Sequence, residues 1–194
     1  MLKSTKLKNT LLVGTTTILV SCGGQNEIKM GSYAYDAEFL KKHGIEYTEL
    51  VSADGNSKVM VIPAWQGRVM TSSASGDEGD SFGWINYRFI DKGEISTQFN
   101  PVGGEERFWL GPEGGPFSLY FKGGQEQVYD NWVVPAVLDT EPFKVEAQNE
   151  SSIRFVKDTR LTNASGTTFD INIDRIVSLM DADKVAADFN IQLT

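Results

Sequence analysis

The chain has one cysteine and one histidine among its 194 residues. A single cysteine excludes an intramolecular disulfide and any zinc site built from several thiolates. The sequence also has no histidine pair for a metal, no G-x-S-x-G nucleophile motif and no phosphate-binding loop. We therefore predict a protein that needs no cofactor.

Positive charge is scarce, with 18 Lys and Arg against 26 Asp and Glu and a formal net charge of −8. Nucleic-acid binding needs clusters of Lys and Arg, and this chain has none beyond its first residues. We predict that nucleic acid is not a partner. A composition that is 40% hydrophobic and 11% aromatic indicates one globular domain, which at this length buries roughly 70% of the surface of the unfolded chain.

Long hydrophobic runs are also missing, and the apolar run 10–20 is too short to span a membrane. It follows three lysines within residues 1–21, as in an export signal. The end of this run and the two residues after it, Leu19-Val20-Ser21-Cys22, resemble the bacterial lipoprotein box, in which cleavage precedes a cysteine that is then lipidated. We predict lipidation of Cys22, a tether over residues 22–31, and anchoring in the bacterial cell envelope, at the outer membrane.

Membrane attachment would depend on the lipid, because cleavage removes three lysines and leaves the mature chain more negative. More than one acyl chain is needed for a stable anchor. Residues 32–194 then form the folded domain.

One helix is predicted near the start of this domain, over residues 32–43. Ser32 or Asp36 is its N-cap and Gly44 ends it. His43 falls at the helix C-terminus, where the helix dipole favours a cation, so we interpret it as a capping or solvated residue rather than a catalytic one.

After the helix the pattern becomes that of strands. Residues 54–57 predict a hairpin turn, and the apolar run 59–62 predicts a central strand. The run of small residues 71–80 predicts an exposed loop. Its carboxylates could bind calcium, although a solvated acidic loop is the favoured interpretation; they are Asp77, Glu78 and Asp80.

The second half of the chain alternates apolar and polar residues over 143–148 and 169–177. An additional extended run covers 152–156, and a turn covers 163–166. These features predict an antiparallel sandwich with one solvated face. The spacing of Asp170, Asn172 and Asp174 resembles the start of an EF-hand loop, but the glycine and glutamate that this loop needs further on are absent. A helix is predicted over 181–188 and an extended run over 189–194.

Residues 99–132 are the part of the chain with the most glycine pairs and aromatic side chains. We predict irregular loops between short strands here, and no helix. A core strand at 108–110 between tight turns is the plain alternative. Because carboxylates and an arginine lie among these aromatic residues, we favour a cleft for a polar ligand.

Four segments of the sequence resemble a family of uncharacterised bacterial lipoproteins related to the galactose mutarotases: VIPAWQGRVMTSSASGDEG, GGEERFWLGPEGG, DNWVVPAVLDTEPF and DTRLTNASGTTFDINIDR. The resemblance covers residues 51–177. It implies a mainly β fold, namely a large antiparallel β-sandwich of the galactose mutarotase-like (supersandwich) type that binds carbohydrate. Such sandwiches are longer than this chain, so we expect it to be an N-terminal portion of the full domain.

For a carbohydrate we expect tryptophans as stacking faces and charged side chains as hydrogen-bond partners. The candidates are Trp65, Arg68, Arg107, Trp109, Glu113, Asp130 and Trp132. If residues 107–110 form a strand, Arg107 and Trp109 share the ligand face, while Phe108 and Leu110 point into the core. Alternatively, Arg107 and Trp109 stack on each other at a plain surface.

Three functions follow from these observations. The first is a lipid-anchored carbohydrate-binding protein. The second is an enzyme on sugars, with some catalytic residues beyond residue 194. The third is a structural envelope protein. A mutarotase needs a histidine acid and a carboxylate base, but the only histidine precedes the sandwich. A glycosidase needs two facing carboxyl groups, and no spacing selects a pair among the candidates Glu105, Glu106, Glu113 and Asp130.

Overall fold

The computed structural model describes residues 28–192, so the export signal, Cys22 and most of the predicted tether lie outside the described residues. Within 28–192 the fold is mainly β, with two three-stranded antiparallel sheets and four α-helices. In chain order the elements are α1 (Tyr33–Lys42), β1 (Thr48–Val51), β2 (Lys58–Ile62), β3 (Arg68–Ser73), α2 (Tyr87–Lys92), α3 (Ala136–Asp139), β4 (Lys144–Gln148), β5 (Ser152–Thr162), β6 (Thr168–Ser178) and α4 (Ala182–Phe189). Short 3-10 turns occupy Pro63–Trp65 and Tyr129–Asn131.

Helix α1 confirms the first predicted element. Ser32 is its N-cap, with extended backbone and a hydroxyl that accepts a hydrogen bond from the Tyr35 amide. Gly44, at a φ of 69°, ends the helix in a left-handed conformation that a residue with a side chain adopts less readily. The helix buries Tyr33 and Leu40.

The first sheet has the order β1-β2-β3, which confirms β2 as the central strand. The predicted turn at 54–57 joins β1 to β2, and the Asp54 carboxylate accepts hydrogen bonds from the Asn56 amide and side chain. Met60 and Ile62 lie in one core cluster and Val61 in another. The continuous apolar run of β2 is therefore explained by burial on both faces of the sheet.

The predicted exposed loop over 71–80 is wrong in its first three residues. Thr71 and Ser73 are buried in β3, paired with β2. Burial is tolerated at Thr71 because its hydroxyl oxygen accepts a hydrogen bond from the Gly83 amide at 3.0 Å. The exposed part of the loop begins after Ser73.

The second sheet has the order β4-β5-β6, with β5 and β6 paired along their full lengths. This pairing confirms the strand prediction and excludes the EF-hand interpretation, since Asp170 and Asp174 lie in β6 opposite β5 residues. The apolar face predicted for β4 is only partly formed. Phe143 is buried, but Val145 and Ala147 are exposed beside a register shift that disturbs the alternation.

Two hydrophobic clusters form the core. One joins β5 and β6 to residues of the 99–132 stretch and to α3; the other joins α1 and α2 to the first sheet. Residues in or next to α1, α2 and α3 line the cleft described below.

Helix α4 confirms the predicted helix near the end, capped by the Asp181 carboxylate. The extended run expected from residue 189 is wrong as far as residue 192, because Phe189 ends α4 and Asn190 follows in the left-handed region. None of the helices between residues 28 and 192 is long and apolar enough to cross a membrane.

Candidate functional site

The stretch 99–132 is irregular, as predicted, apart from the 3-10 turn at Tyr129–Asn131. The alternative core strand at 108–110 is not formed. The nearby ladder contacts are isolated bridges, Val69 to Glu106 and Ile85 to Gly103. The argument that placed Arg107 and Trp109 on one strand face therefore does not apply, because no strand is present to impose the alternation.

Arg107 and Trp109 stack on each other, with the guanidinium carbon 4.0 Å from the centre of the indole. They are not on a plain surface, however. Arg107 is half-buried and its Nη2 donates to the Leu138 carbonyl at 2.6 Å, while the indole nitrogen of Trp109 donates to Glu113 Oε1 at 2.8 Å. Phe108 packs edge-on against the core residue Phe143.

Trp132 also serves internal packing. Its ring is parallel to that of Tyr120, at 5.6 Å between centroids, and to that of Tyr129, at 6.2 Å. Tyr120 packs in turn against Trp109. We call these four residues the aromatic stack. The structure thus brings four predicted site residues together, Arg107, Trp109, Glu113 and Trp132, but the two indoles are occupied by protein neighbours.

Asp130 lies apart from this group. It is exposed and lines a separate cavity of about 470 Å³ with Tyr120, Asn131 and Thr162. Nothing in that cavity brings it to Trp65, Arg68 or Arg107.

Trp65 lines a different cavity, a cleft of about 410 Å³ enclosed by residues near the end of α1, in and after α2, and at the end of α3. Trp65 is partly buried, and none of the stacked aromatic pairs within residues 28–192 involves its ring. Apolar walls with a few polar groups are typical of small-molecule sites. The polar residues of this cleft are His43, Asp91, Glu94, Asn100, Asp139 and Thr140.

Asp139 is the buried acid of the cleft, with 6% of its surface exposed. Its Oδ2 accepts hydrogen bonds from the Asn100 amide at 3.0 Å and from Asn100 Nδ2 at 2.7 Å. Its Oδ1 has no hydrogen-bond partner, and Arg107 Nη2 lies 3.9 Å away. A buried carboxylate oxygen without a donor is costly. A ligand hydroxyl that donated to Oδ1 would remove this cost, but it reaches the oxygen only after a neighbouring side chain moves, because Oδ1 is closed off from solvent.

Arg68 is the largest fully buried side chain among the described residues, with 1% of its surface exposed. Its Nη1 donates to the Gly103 carbonyl at 2.6 Å, but Nε and Nη2 have no partner. Burial, and secondly the charge of Arg107, lower the pKa of Arg68 to about 10. Burial also lowers the pKa of Arg107.

Arg68 is not among the residues that line the cleft, so its role as a ligand contact stays a prediction. It lies next to Gly104, where an added Cβ would stand 2.8 Å from Arg68 Cδ. The lack of a side chain at Gly104 gives the arginine its space.

His43 caps α1, as predicted, but it is not a freely solvated residue. Its Nδ1 lies 2.8 Å from the Phe39 carbonyl oxygen and its Nε2 lies 2.9 Å from Asp91 Oδ1. The imidazole therefore links the end of α1 to α2 at the wall of the cleft, with both ring nitrogens in use.

The proposed calcium ligands do not converge. Asp77 pairs with Lys58 at 2.6 Å and Asp80 pairs with Lys29 at 3.2 Å. Across residues 28–192 no group of three His, Cys, Asp or Glu side chains is close enough to hold a metal ion. This arrangement favours the solvated acidic loop.

Comparison with known proteins gives one match, to a family model described as a family of unknown function (DUF6786), over residues 31–194. The chain belongs to this family. No curated protein and no solved structure matches it. The description of DUF6786 assigns no activity and names neither lipoproteins nor mutarotases, so those two resemblances stay predictions.

The DUF6786 match begins before α1 and includes every residue of the cleft.

Several residues of the cleft were not predicted as site residues from the sequence, namely Asp91, Glu94, Asn100, Asp139 and Thr140. One signal was available: Asn86 caps α2 by accepting from the Phe89 amide, and Gly93 ends it at a φ of 61°. These two residues frame a short helix and so place Asp91 near its end.

Proposed function

We propose that this protein is an exported, lipid-anchored protein of the bacterial cell envelope whose mutarotase-like β-sandwich binds carbohydrate in the cleft lined by Trp65 and Asp139. The proposal rests on one observation above the others. Asp139 is a buried carboxylate on the wall of the cleft, and one of its oxygens has no hydrogen-bond donor. A sugar hydroxyl is a donor of the right kind, because a hydrogen bond to a charged group contributes about 1.5–3 kcal/mol.

The other walls suit the rest of a sugar ring. Trp65 offers an indole on which no ring within residues 28–192 stacks, and the apolar C–H face of a pyranose packs on such a surface. Asn100 and Thr140 add polar groups beside Asp139. The cleft of about 410 Å³ lies in the size range of small-ligand sites.

Neutral sugars suit the cleft better than acidic ones. Among the residues that the structure describes, no lysine or arginine lines it, whereas Asp91, Glu94 and Asp139 do. A ligand carboxylate would meet carboxylates of the same sign at close range. We therefore expect neutral saccharides to bind in preference to uronic acids.

The test is a glycan array with the mature protein, followed by calorimetric titration of the glycans that bind. Trp65→Ala and Asp139→Asn should each weaken binding about tenfold or more, which corresponds to the loss of about 1.4 kcal/mol. Trp84→Ala is the matched control, because Trp84 is exposed and lies outside the cleft. Wild-type affinity in Trp65→Ala would place the saccharide elsewhere, and an array without any bound glycan would favour a structural envelope protein.

Lipid anchoring has its own test. Mass spectrometry of the native N-terminus should find a lipid-modified Cys22 as the first residue, and Cys22→Ser should yield an unprocessed or soluble product. An intact Met1, or cleavage at another position with an unmodified thiol, would contradict this part of the proposal.

A sugar-active enzyme is the second candidate, and one observation favours it. The only histidine of the chain lies in the cleft with a carboxylate, at 2.9 Å between His43 Nε2 and Asp91 Oδ1. Proton transfer to a sugar by His43 would require a free ring nitrogen, and both are engaged. We therefore expect polarimetry on freshly dissolved glucose and galactose to show no acceleration of mutarotation. Acceleration that is lost in His43→Ala would overturn this expectation and establish the enzyme.

A further inference from the structure

Four exposed apolar residues lie close to the point where the anchored N-terminus would enter the fold. Met30 is 71% exposed, Phe82 is 61% exposed and Trp84 is 63% exposed; Ile28, the first described residue, is 39% exposed. We call these four residues the N-terminal apolar patch. Single exposed apolar side chains are normal, but a group of them marks an interaction surface.

Hydrogen bonds bring the two parts of the patch together. Met30 lies in a turn closed by the Ser32 amide, which donates to the Lys29 carbonyl at 3.0 Å. The next residue, Gly31, accepts from the Ser81 amide at 2.9 Å, and Lys29 Nζ contacts Asp80. Since Met30 adjoins Gly31 and Phe82 adjoins Ser81, their Cα atoms are at most roughly 13 Å apart.

Gly83 holds the segment between the exposed residues Phe82 and Trp84 against the first sheet. A Cβ added to Gly83 would lie 2.2 Å from the Met70 carbonyl oxygen, so this residue is pressed against β3. Its amide donates to Thr71 Oγ1 at 3.0 Å. The Phe82 amide donates to the Ser72 carbonyl at 3.0 Å, which holds this segment beside β3 while the Phe82 and Trp84 side chains stay exposed.

The length of the tether keeps the patch near any membrane to which Cys22 is anchored. Five residues separate Cys22 from Ile28. Fully extended, the six steps between them span about 21 Å, which is less than the diameter of a small domain. Ile28 is therefore held within about 21 Å of the anchored cysteine, and so lies close to the bilayer.

Charge does not provide this contact. The loop beside the patch carries the exposed acids Asp77, Glu78 and Asp80, of which Asp77 and Asp80 pair with lysines. An acidic border is not attracted to an anionic lipid surface, so contact with the bilayer has to come from the apolar side chains. Tryptophan prefers the interface between headgroups and acyl chains.

We propose that the N-terminal apolar patch contacts the lipid bilayer and, together with the anchor at Cys22, fixes the orientation of the domain on the membrane. This inference rests on the lipid anchor of the proposed function. The anchor holds the chain at the surface, and Met30, Phe82 and Trp84 enter the interface next to it.

The test is quenching of tryptophan fluorescence by brominated lipid. The full chain is expressed in bacteria, purified with its native N-terminus, and reconstituted into phosphatidylcholine vesicles with and without bromine on the acyl chains. Wild-type protein should be quenched, and Trp84→Phe should lose most of that quenching. Trp132→Phe should retain it, because Trp132 belongs to the aromatic stack. Phe82→Ala should reduce the quenching, whereas Phe117→Ala, an equally exposed aromatic residue in another loop, should not.

Two results would overturn the inference: vesicle-bound protein without quenching, or equal quenching in Trp84→Phe and wild type. Failure of the anchor is distinguished by coupling a maleimide lipid to Cys22, the only thiol of the chain. If the native N-terminus carries no lipid, the anchor proposal fails, while the coupled protein still shows whether the patch meets the bilayer.

Discussion

The arginine at the start of β3 and the arginines on the ladder between β5 and β6 differ in burial and in hydrogen bonding. On the ladder, Arg154 donates through Nε and Nη2 to both oxygens of Asp174, at 2.8 and 2.5 Å. Arg160 makes the same bidentate contact with Asp170. At the start of β3, the same edge of Arg68 is buried and has no partner. The guanidinium edges that bind a carboxylate are thus the exposed ones, and the same edge of Arg68, in the core, has no partner.

This difference distinguishes exposed ion pairs, which have little effect on stability, from buried charged groups near the cleft, which lower it. Exposed ion pairs contribute little to stability, whereas a buried charge without its hydrogen bonds costs stability. Seven buried side-chain atoms between residues 28 and 192 lack a partner, and four of them belong to Arg68, Arg107 and Asp139. These three residues are electrostatic neighbours, and one of them, Asp139, lines the cleft. Unsatisfied groups that gather in one place are typical of a functional site rather than of an optimised core.

The largest effect should come from Asp139→Ala. This change removes the acceptor for Asn100 and leaves Arg107 without its nearest carboxylate. Breaking a buried pair from one side costs about 3–5 kcal/mol, and we expect a loss of that size in the free energy of unfolding measured with urea. Asp174→Ala is the matched control on the ladder and should leave the urea midpoint almost unchanged. Equal losses in the two variants would remove the distinction between the two regions.

The second-largest effect should be a gain in stability, from Arg68→Met. Arg68→Met keeps most of the side-chain volume and removes a buried charge with two unpartnered nitrogens. Such replacements are neutral or stabilise by about 1–4 kcal/mol, so we expect a raised free energy of unfolding. Arg68→Lys, which keeps the charge, should not produce this gain. A loss of stability in Arg68→Met would mean that the guanidinium is satisfied in solution, for instance by buried water.

Elements with local signals were predictable from the sequence. Ser32 and Gly44 fix the ends of α1, and the alternation over 169–177 gives β6, because caps and periodicity act over a few residues. Thr71 and Ser73 were misassigned because small polar residues are typical of loops. Only the distant Gly83 amide and the pairing with β2 make a buried strand possible there.

The cleft was much less predictable than the strands. His43 meets Asp91 and Asn100 meets Asp139 across 48 and 39 residues of sequence, and no local pattern encodes such contacts. Residues 99–132 were correctly predicted to be irregular. The packing of Trp109 and Trp132 in the aromatic stack could not be predicted, because tertiary contacts set their neighbours. Trp65 was the one candidate that reached the cleft.

A smaller loss is expected for Tyr120→Phe. The Tyr120 hydroxyl donates to the Leu110 carbonyl at 2.5 Å, and a satisfied neutral hydrogen bond contributes about 1 kcal/mol. Burial raises the pKa of Tyr120 above that of an unfolded tyrosine. Its stabilising contribution is therefore complete below about pH 10 and is lost as the pH rises towards the raised pKa. Urea titrations at neutral pH and above pH 10 should show that the difference in free energy of unfolding between wild type and Tyr120→Phe shrinks as the pH rises. A difference that grows with pH would contradict the predicted direction.

The smallest effect is expected for Arg160→Ala, on the exposed end of the ladder. Its contact with Asp170 has good geometry, with Nε 2.6 Å from Oδ1, but both side chains are solvated. Water and salt screen such a pair, and ordering two long side chains costs entropy that offsets the attraction. The melting temperature should stay within the error of the measurement at physiological salt. A clear decrease in melting temperature that disappears in high salt would show that the ladder pairs do stabilise the second sheet. The exposed arginines would then stabilise the fold while the buried Arg68 destabilises it.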